Sequence, residues 1–338
     1  CRIPIRSSTE KPFAIWRVLT VRQPSRRKVS EAASTVNAMS EQAASASIQL
    51  SDRQREILAR SHDESFAVLG AAGSGKTTLL IEMVAAHVAA GTQPEQVLAL
   101  AANRKQAAEL RERIAARLQT AVRGGGLGRT VASISHEIVA IDRARNGQTP
   151  PRLLTGSQQD AILRDVIAGA TDPDAAPSRY RGELPWPENF SPETPQLAGF
   201  RAELRELFAA MATYGVSPEQ LAELSLPYSE AVAKRQRHRA LWRAVSRLAN
   251  DYQYVLGSAY DASYDVANMT ALAANLVAAG VLPAADAEIK LVVIDDAQEL
   301  TESGRQLIAA FEARGARIIS FGDPDVATGP YHGGVAEY

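Results

Sequence analysis

The chain alternates between short apolar runs and stretches in which apolar residues recur at helical spacing. Apolar or nearly apolar runs, which are typical of buried parallel strands, occupy residues 66–69, 97–101, 290–294 and 317–321. Helical spacing follows at residues 77–90, 103–118 and 301–313. Strands that alternate with helices in this way predict an α/β fold with a mainly parallel, doubly wound sheet.

The middle of the chain, residues 150–285, has a different pattern. Turn-forming sequences separate amphipathic stretches that predict helices at about 157–168, 195–214, 217–224 and 230–257. No strand is recognisable there, so this part is predicted to be an all-helical insertion. Just before it, residues 130–133 are interpreted as a short strand and residues 135–145 as a helix.

The first 48 residues differ from the rest. They are basic before residue 30 and rich in Ser and Ala afterwards, without a sustained period. This composition favours a disordered tail or a mis-annotated leader, with Met39 as a plausible start, over a basic arm that contacts DNA. The predicted organisation is a tail at 1–48, an α/β domain in two parts at 49–149 and 286–338, and the insertion at 150–285.

A glycine-rich stretch after the first predicted strand matches the pattern G-x-x-x-x-G-K-[ST]. Its small residues let backbone N–H groups turn toward phosphate oxygens, and the following helix N-terminus adds partial positive charge. Lys76 supplies a cation for the phosphates, and Thr77 an oxygen ligand of the kind Mg²⁺ prefers. A chance match in a glycine-rich turn is the alternative, which the flanking strand and helix disfavour. The predicted nucleotide-binding residues of this stretch are Gly70, Ala71, Ala72, Gly73, Ser74, Gly75, Lys76, Thr77 and Thr78.

Two adjacent carboxylates, Asp295 and Asp296, follow a predicted buried strand. The carboxyl ends of parallel strands form the edge at which such sheets bind ligands. Asp295 is predicted to hold Mg²⁺ opposite Thr77, and Asp296 to orient and deprotonate the attacking water. The alternative is an acidic pair that only caps the next helix. With Lys76, these two aspartates are the predicted catalytic residues, and ATP and Mg²⁺ are the predicted cofactors.

Composition narrows the class of protein. The 338 residues carry a net charge of −1, so a nucleic-acid partner must be held by local basic patches. The single cysteine excludes an intramolecular disulfide and a cysteine-rich metal site. No apolar run is long enough to cross a bilayer, so we expect a soluble, cytoplasmic protein without a membrane partner.

Ordered segments over residues 50–335 resemble the first motor domain of UvrD/Rep/PcrA-type superfamily 1 DNA helicases, which has a RecA-like fold. The nearest group is the actinobacterial AdnA/AdnB, or RecB-like, helicases. The resemblance is carried by the phosphate loop, residues 98–108, residues 295–298, which are similar to a D-E-x-Q box, and residues 322–325, which are similar to G-D-P-D-Q. Gln54 is similar to the glutamine whose amide reads adenine by donating and accepting together.

The resemblance implies an ATP-dependent 3′-to-5′ helicase or translocase that acts on single-stranded or duplex-junction DNA in repair or recombination, with a second helicase–nuclease subunit as a candidate partner. The DNA-binding residues that it implies are Asn103, Arg104, Thr130, Tyr331 and His332. The family's second motor domain is expected beyond residue 338, so the fragment alone is expected to be weakly active or inactive.

Departures from the family pattern leave two alternatives open. Asp296 replaces the usual glutamate and Val326 the usual glutamine, which favours a DNA-binding or scaffold subunit with a decayed ATP site. A P-loop ATPase that does not act on DNA is the other alternative. A set of cations on one insertion helix is interpreted either as a DNA-binding face or as a solvated surface: Lys234, Arg235, Arg237, Arg239, Arg243 and Arg247.

Overall fold

The structure is a computed structural model. It describes residues 17–21, 50–59, 64–119, 127–171, 186–187, 190–191, 193–224, 227, 229–283, 288–323 and 325–326. The predicted DNA-binding residues Tyr331 and His332 lie outside the described residues, as does most of the predicted tail.

The centre of the fold is a parallel β-sheet. The strands of the described chain are β1 Arg17–Val21, β2 Phe66–Gly70, β3 Val97–Leu100, β4 Arg152–Leu153, β5 Ser263–Tyr264, β6 Leu291–Ile294 and β7 Arg317–Gly322. Five of them form the main sheet in the order β1-β2-β7-β6-β3, and every neighbouring pair is parallel. This arrangement confirms the predicted α/β class.

Helices cover the sheet and extend from it. They are α1 Asp52–Leu58, α2 Lys76–Ala89, α3 Arg104–Leu118, α4 Val131–Arg145, α5 Gly156–Thr171, α6 Ala198–Tyr214, α7 Pro218–Ala222, α8 Val232–Ala259, α9 Val266–Ala278 and α10 Glu302–Ala313. Helices α1, α2 and α3 share one hydrophobic cluster with the sheet, and α4, α9 and α10 share another. Along β3, Val97 and Ala99 belong to the first cluster, and Leu98 and Leu100 to the second. Both faces are therefore buried, which explains the continuous apolar runs.

The helical part has its own core. Side chains of α5, α6, α7 and α8 form a third cluster, in which Leu163, Phe208 and Leu248 are buried. Ser217 caps α7 through a reciprocal pair of hydrogen bonds with Gln220, as expected for a serine placed before a proline at the first turn. The predicted helices of the insertion are present with small differences at their ends.

Three sequence predictions were wrong in detail. Residues 131–133 begin helix α4 and do not form a strand, because Thr130 caps that helix and exchanges hydrogen bonds with Ser133. The insertion is not free of strands, since the two-residue strands β4 and β5 pair in parallel. The tail is not wholly irregular, since β1 pairs with β2 at the edge of the sheet.

Helix α9 was not recognised in the sequence. It lies inside the predicted insertion, yet it packs against α4 and α10, and its buried Met269, Ala273 and Val277 belong to the cluster on the sheet. Asp265 caps its N-terminus by accepting a hydrogen bond from the N–H of Asn268. The domain boundaries at 150 and 285 stay predictions.

Candidate nucleotide-binding site

A cleft of about 830 Å³ opens at the carboxyl edge of the main sheet. The loop between β2 and α2 forms one wall, and the segments after β3, β6 and β7 form the others, with Lys76, Gln106, Asp296 and Asp323 among the lining residues. Asp295, which contacts the lining residue Thr77, is fixed at this edge by its N–H, which donates to the carbonyl oxygen of Leu100 at 2.9 Å. The predicted loop and the predicted acidic pair therefore meet at one site.

The glycine-rich loop has the backbone conformation that a phosphate cradle needs. Gly73 and Gly75 have φ angles of 76° and 84°, in the left-handed region that favours glycine. The Lys76 ammonium donates to the carbonyl oxygens of Gly70 at 2.6 Å and Ala71 at 3.0 Å, so it lies across the mouth of the loop. The buried hydroxyl of Ser74 has no hydrogen-bond partner among the described residues, and a phosphate oxygen would satisfy it.

Thr77 and Asp295 form the candidate magnesium site. The Thr77 hydroxyl donates to Oδ2 of Asp295 at 2.9 Å. Burial raises the pKa of Asp295, and the nearby Asp296 acts in the same direction, while the hydrogen bond from Thr77 and the charge of Lys76 act against it. A bound divalent cation would favour the ionised carboxylate, so the donor set fits Mg²⁺.

Mg²⁺ commonly takes only one or two protein oxygens and completes its shell with substrate phosphates and water. Within the described ranges, no group of three His, Cys, Asp or Glu side chains is gathered for a metal ion. Thr77 and Asp295, which lie at the end of the phosphate loop, therefore fit a magnesium ion bound together with a nucleotide and not a dedicated all-protein cage.

Asp296 is held in an unusual position. Its φ of 51° places it in the left-handed region, and the turn Ala297–Glu299 follows it. Its Oδ2 accepts from Nε2 of Gln106 at 3.2 Å and its Oδ1 from Nε2 of Gln298 at 3.3 Å. Oε1 of Gln298 in turn accepts from the N–H of Asp323 at 3.1 Å. Gln106 and Gln298 lie in the segments 98–108 and 295–298 that carry the family resemblance, but the sequence predicted no contact for either of them.

Gln54 is close to the loop but is already engaged. Its Oε1 accepts from the N–H of Ser51 at 2.9 Å, which caps α1, and its Nε2 donates to the carbonyl oxygen of Ser74 at 3.2 Å. Adenine recognition would have to use the second lone pair of Oε1 and the second N–H of Nε2, or displace these partners. The role of Gln54 as an adenine reader therefore stays a prediction, whereas its contact with the phosphate loop is a finding.

The predicted DNA-binding residues that the structure describes lie at two helix N-termini. Asn103 caps α3 and also lines the cleft, and Arg104 beside it is exposed. Thr130 is buried as the cap of α4. Val326 lines the cleft and is 50% exposed, with no polar side-chain group to offer a phosphate.

The parallel sheet and the phosphate loop define a P-loop nucleotide-binding domain of the RecA-like class. The family model of the UvrD/REP helicase N-terminal domain matches residues 50–327, and the chain belongs to that family. Membership identifies a UvrD-type helicase domain, with the ATP hydrolysis and DNA binding that this implies. Comparison with curated proteins found no relative of the chain. No described helix is both long and apolar enough to span a membrane.

Proposed function

We propose that the chain is the ATP-binding motor domain of a 3′-to-5′ DNA helicase or translocase that works in the cytoplasm in DNA repair or recombination. The observation that carries the proposal is the convergence of Lys76, Thr77 and Asp295 at one edge of the sheet, although Thr77 and Asp295 are 218 positions apart in sequence. The 3′-to-5′ direction, the biological role and the assignment to the AdnA/AdnB group rest on the sequence resemblance.

Each residue of the cleft has a chemical role. Lys76, with the loop N–H groups and the hydroxyl of Ser74, would bind the phosphates, and Thr77 and Asp295 would hold Mg²⁺. Bound Mg²⁺ would neutralise phosphate charge in the transition state. Asp296 would orient the attacking water and accept its proton. Asn103, Arg104 and Thr130, together with Tyr331 and His332, would contact single-stranded DNA.

The test is ATP hydrolysis by the full-length protein with and without single-stranded DNA, together with unwinding of duplexes that carry either a 3′ or a 5′ tail. We expect stimulation by DNA and unwinding only from the 3′ tail. Lys76→Ala should remove both activities, because the loop loses its phosphate cation. Wild-type protein that is not stimulated by DNA would point instead to a P-loop ATPase that does not act on DNA.

A second candidate function is a DNA-binding or scaffold subunit of a helicase–nuclease with a decayed ATP site. It is favoured by the apolar side chain of Val326 at the cleft and by the shorter carboxylate of Asp296. Unwinding that survives Lys76→Ala would place the motor in a partner subunit and support this candidate.

A further inference from the structure

Gln106 contacts both Asn103, which is expected to bind DNA, and the carboxylate of Asp296, which is expected to activate water. It lies in the first turn of α3, and its Nε2 donates to Oδ2 of Asp296 at 3.2 Å. Its side chain is partly buried and lines the nucleotide cleft. The contact joins the segment after β3 to the segment after β6, which are 190 positions apart in sequence.

The other end of the Gln106 amide is tied to Asn103. Nδ2 of Asn103 donates to Oε1 of Gln106 at 2.7 Å, and Oδ1 of Asn103 accepts from the N–H of Gln106 at 3.0 Å. Asn103 itself is exposed. A ligand that draws the Asn103 amide away therefore removes the N–H donor that orients the side-chain amide of Gln106, and with it the alignment of the Gln106 donor on Asp296.

Asp296 depends on such support more than a longer side chain would. An aspartate carries its carboxylate on a single methylene, so its reach is set by the backbone, here at a φ of 51°. Both carboxylate oxygens receive an amide donor, one from Gln106 and one from Gln298. Gln298 is buried and is fixed by the N–H of Asp323, whereas the other partner of the Gln106 amide among the described residues is an exposed asparagine. Gln106 is therefore the adjustable member of the pair.

We propose that Gln106 is a positioning residue that orients the Asp296 carboxylate and transmits occupancy of the surface at Asn103 to it. The inference rests on the proposed role of Asp296 in hydrolysis. The two contacts, from Asn103 to Gln106 and from Gln106 to Asp296, are made by neutral side-chain amides. They therefore change the orientation of the Asp296 carboxylate and not the charge around it. We expect Gln106 to act on turnover and not on nucleotide affinity.

The experiment measures ATP hydrolysis by the full-length protein, with and without a single-stranded oligonucleotide, for wild type, Gln106→Ala, Asp296→Asn and the double variant. Gln106→Ala should lower the DNA-stimulated kcat about tenfold, as for a lost hydrogen bond to a charged group, and leave KM for ATP within about twofold. The kcat of the double variant should fall by a smaller factor than the product of the two single reductions, because the two residues act together. Glu109→Ala, exposed on the same helix, should behave as wild type.

The outcomes that would contradict the role of Gln106 can be distinguished from those that would contradict the proposed function. An unchanged kcat in Gln106→Ala, a loss confined to KM, or independent losses in the double variant would overturn the proposal while leaving the proposed function in place. A wild type without ATPase activity, or an Asp296→Asn variant as active as wild type, would overturn both. Retained affinity for a fluorescent ADP analogue shows that Gln106→Ala is folded. If it is not folded, the isosteric Gln106→Glu serves instead and should lose at least as much kcat, since it replaces the donor with a like charge.

Discussion

The hydroxyl of Thr77 donates a hydrogen bond to the carboxylate of Asp295 at 2.9 Å. Thr77 lies in the first turn of α2, and Asp295 follows β6, so the contact fixes the phosphate loop against the neighbouring edge of the sheet. Both groups are oxygen ligands of the kind that Mg²⁺ prefers, and they lie close enough together that one ion would reach both.

Removal of the Thr77 hydroxyl should therefore weaken ATP binding only when Mg²⁺ is present. We expect Thr77→Val to lose about tenfold in ATP affinity with Mg²⁺, a size common for perturbed metal sites, and to match wild type in EDTA. Titration with a fluorescent ATP analogue under both conditions measures this. Thr77→Ser keeps the hydroxyl and should retain most of the affinity. An equal loss with and without Mg²⁺ would contradict a role in metal binding.

Gly75 should be less tolerant of substitution than Gly73. Both have positive φ angles, so an alanine at either position costs about 1–2 kcal/mol in backbone strain. A Cβ at Gly75 would also lie 2.7 Å from Nε2 of Gln54, whereas nothing lies within 4 Å of one at Gly73.

The affinity of each variant for ATP, measured by titration calorimetry, separates these two costs. Gly75→Ala should bind more weakly than Gly73→Ala, because the Gln54 amide is held by Ser51 and Ser74 and must be displaced. In a Gln54→Ala background the two glycine variants should become alike. A difference that persists there would show that the contact with Gln54 is not its cause.

The sequence predicted the sheet and the phosphate loop well because their signals are local. Buried parallel strands such as β3 need apolar residues on both faces, and the loop needs small residues and a lysine at fixed spacing. The strand predicted at residues 130–133 was wrong because Thr and Val favour strands, while the capping pair of Thr130 and Ser133 was overlooked. The Asp265 cap before α9 offered a similar unused signal.

The remaining features depend on tertiary placement. The two-residue strands β4 and β5 are too short to show a period, and they pair across more than a hundred positions. The donors on Asp296 could not be predicted, because Gln106 meets it only once β3 and β6 are neighbours. A glutamine in an amphipathic helix carries no local sign of such a contact.

Gln54→Ala should weaken ATP and GTP binding by a similar factor. The amide of Gln54 donates to the carbonyl oxygen of Ser74 in the phosphate loop, which would bind the phosphates that both nucleotides share. Competition titrations with ATP and GTP measure the ratio of the two affinities, and Arg53→Ala, an exposed neighbour on α1, is the control. A selective loss for ATP would instead establish that Gln54 reads the adenine base.

The basic side of helix α8 is either a DNA-binding face or a solvated surface, and salt dependence distinguishes the two. Arg239 and Arg243 are exposed and lie four residues apart, so they share one side of the helix. If they contact phosphates, reversal of both to glutamate should reduce the slope of log affinity for single-stranded DNA against log salt by about 0.7 per lost contact. Fluorescence anisotropy at several salt concentrations measures the slope. The same reversal at exposed Arg164 should not change it, and an unchanged slope in the double variant would mark α8 as a solvated surface.

The stability of the helical part should depend on the ion pair between Asp160 and Arg201. Nε and Nη2 of Arg201 donate to the two carboxylate oxygens of Asp160 at 2.9 and 3.0 Å, which ties α6 to α5. Nη1 of Arg201 also donates to the carbonyl oxygen of Gln196, in the segment that precedes α6. These hydrogen bonds are the main reason that the pKa of Asp160 lies below its ordinary value, with the charges of Arg201 and Arg205 acting in the same direction.

A carboxyl whose pKa is lowered by folding stabilises the protein fully above its unfolded pKa of about 3.9 and loses that contribution as the pH falls through the folded value. We therefore expect Asp160→Asn to lower the free energy of unfolding at pH 7 by about 1–3 kcal/mol, and this difference from wild type to shrink as the pH drops below 4. Urea denaturation followed by circular dichroism across this range measures both. Asp165→Asn removes an exposed pair with Arg164 and should stay within about 0.5 kcal/mol of wild type. A deficit in Asp160→Asn that does not change with pH would show that lost packing, and not the ion pair, is responsible.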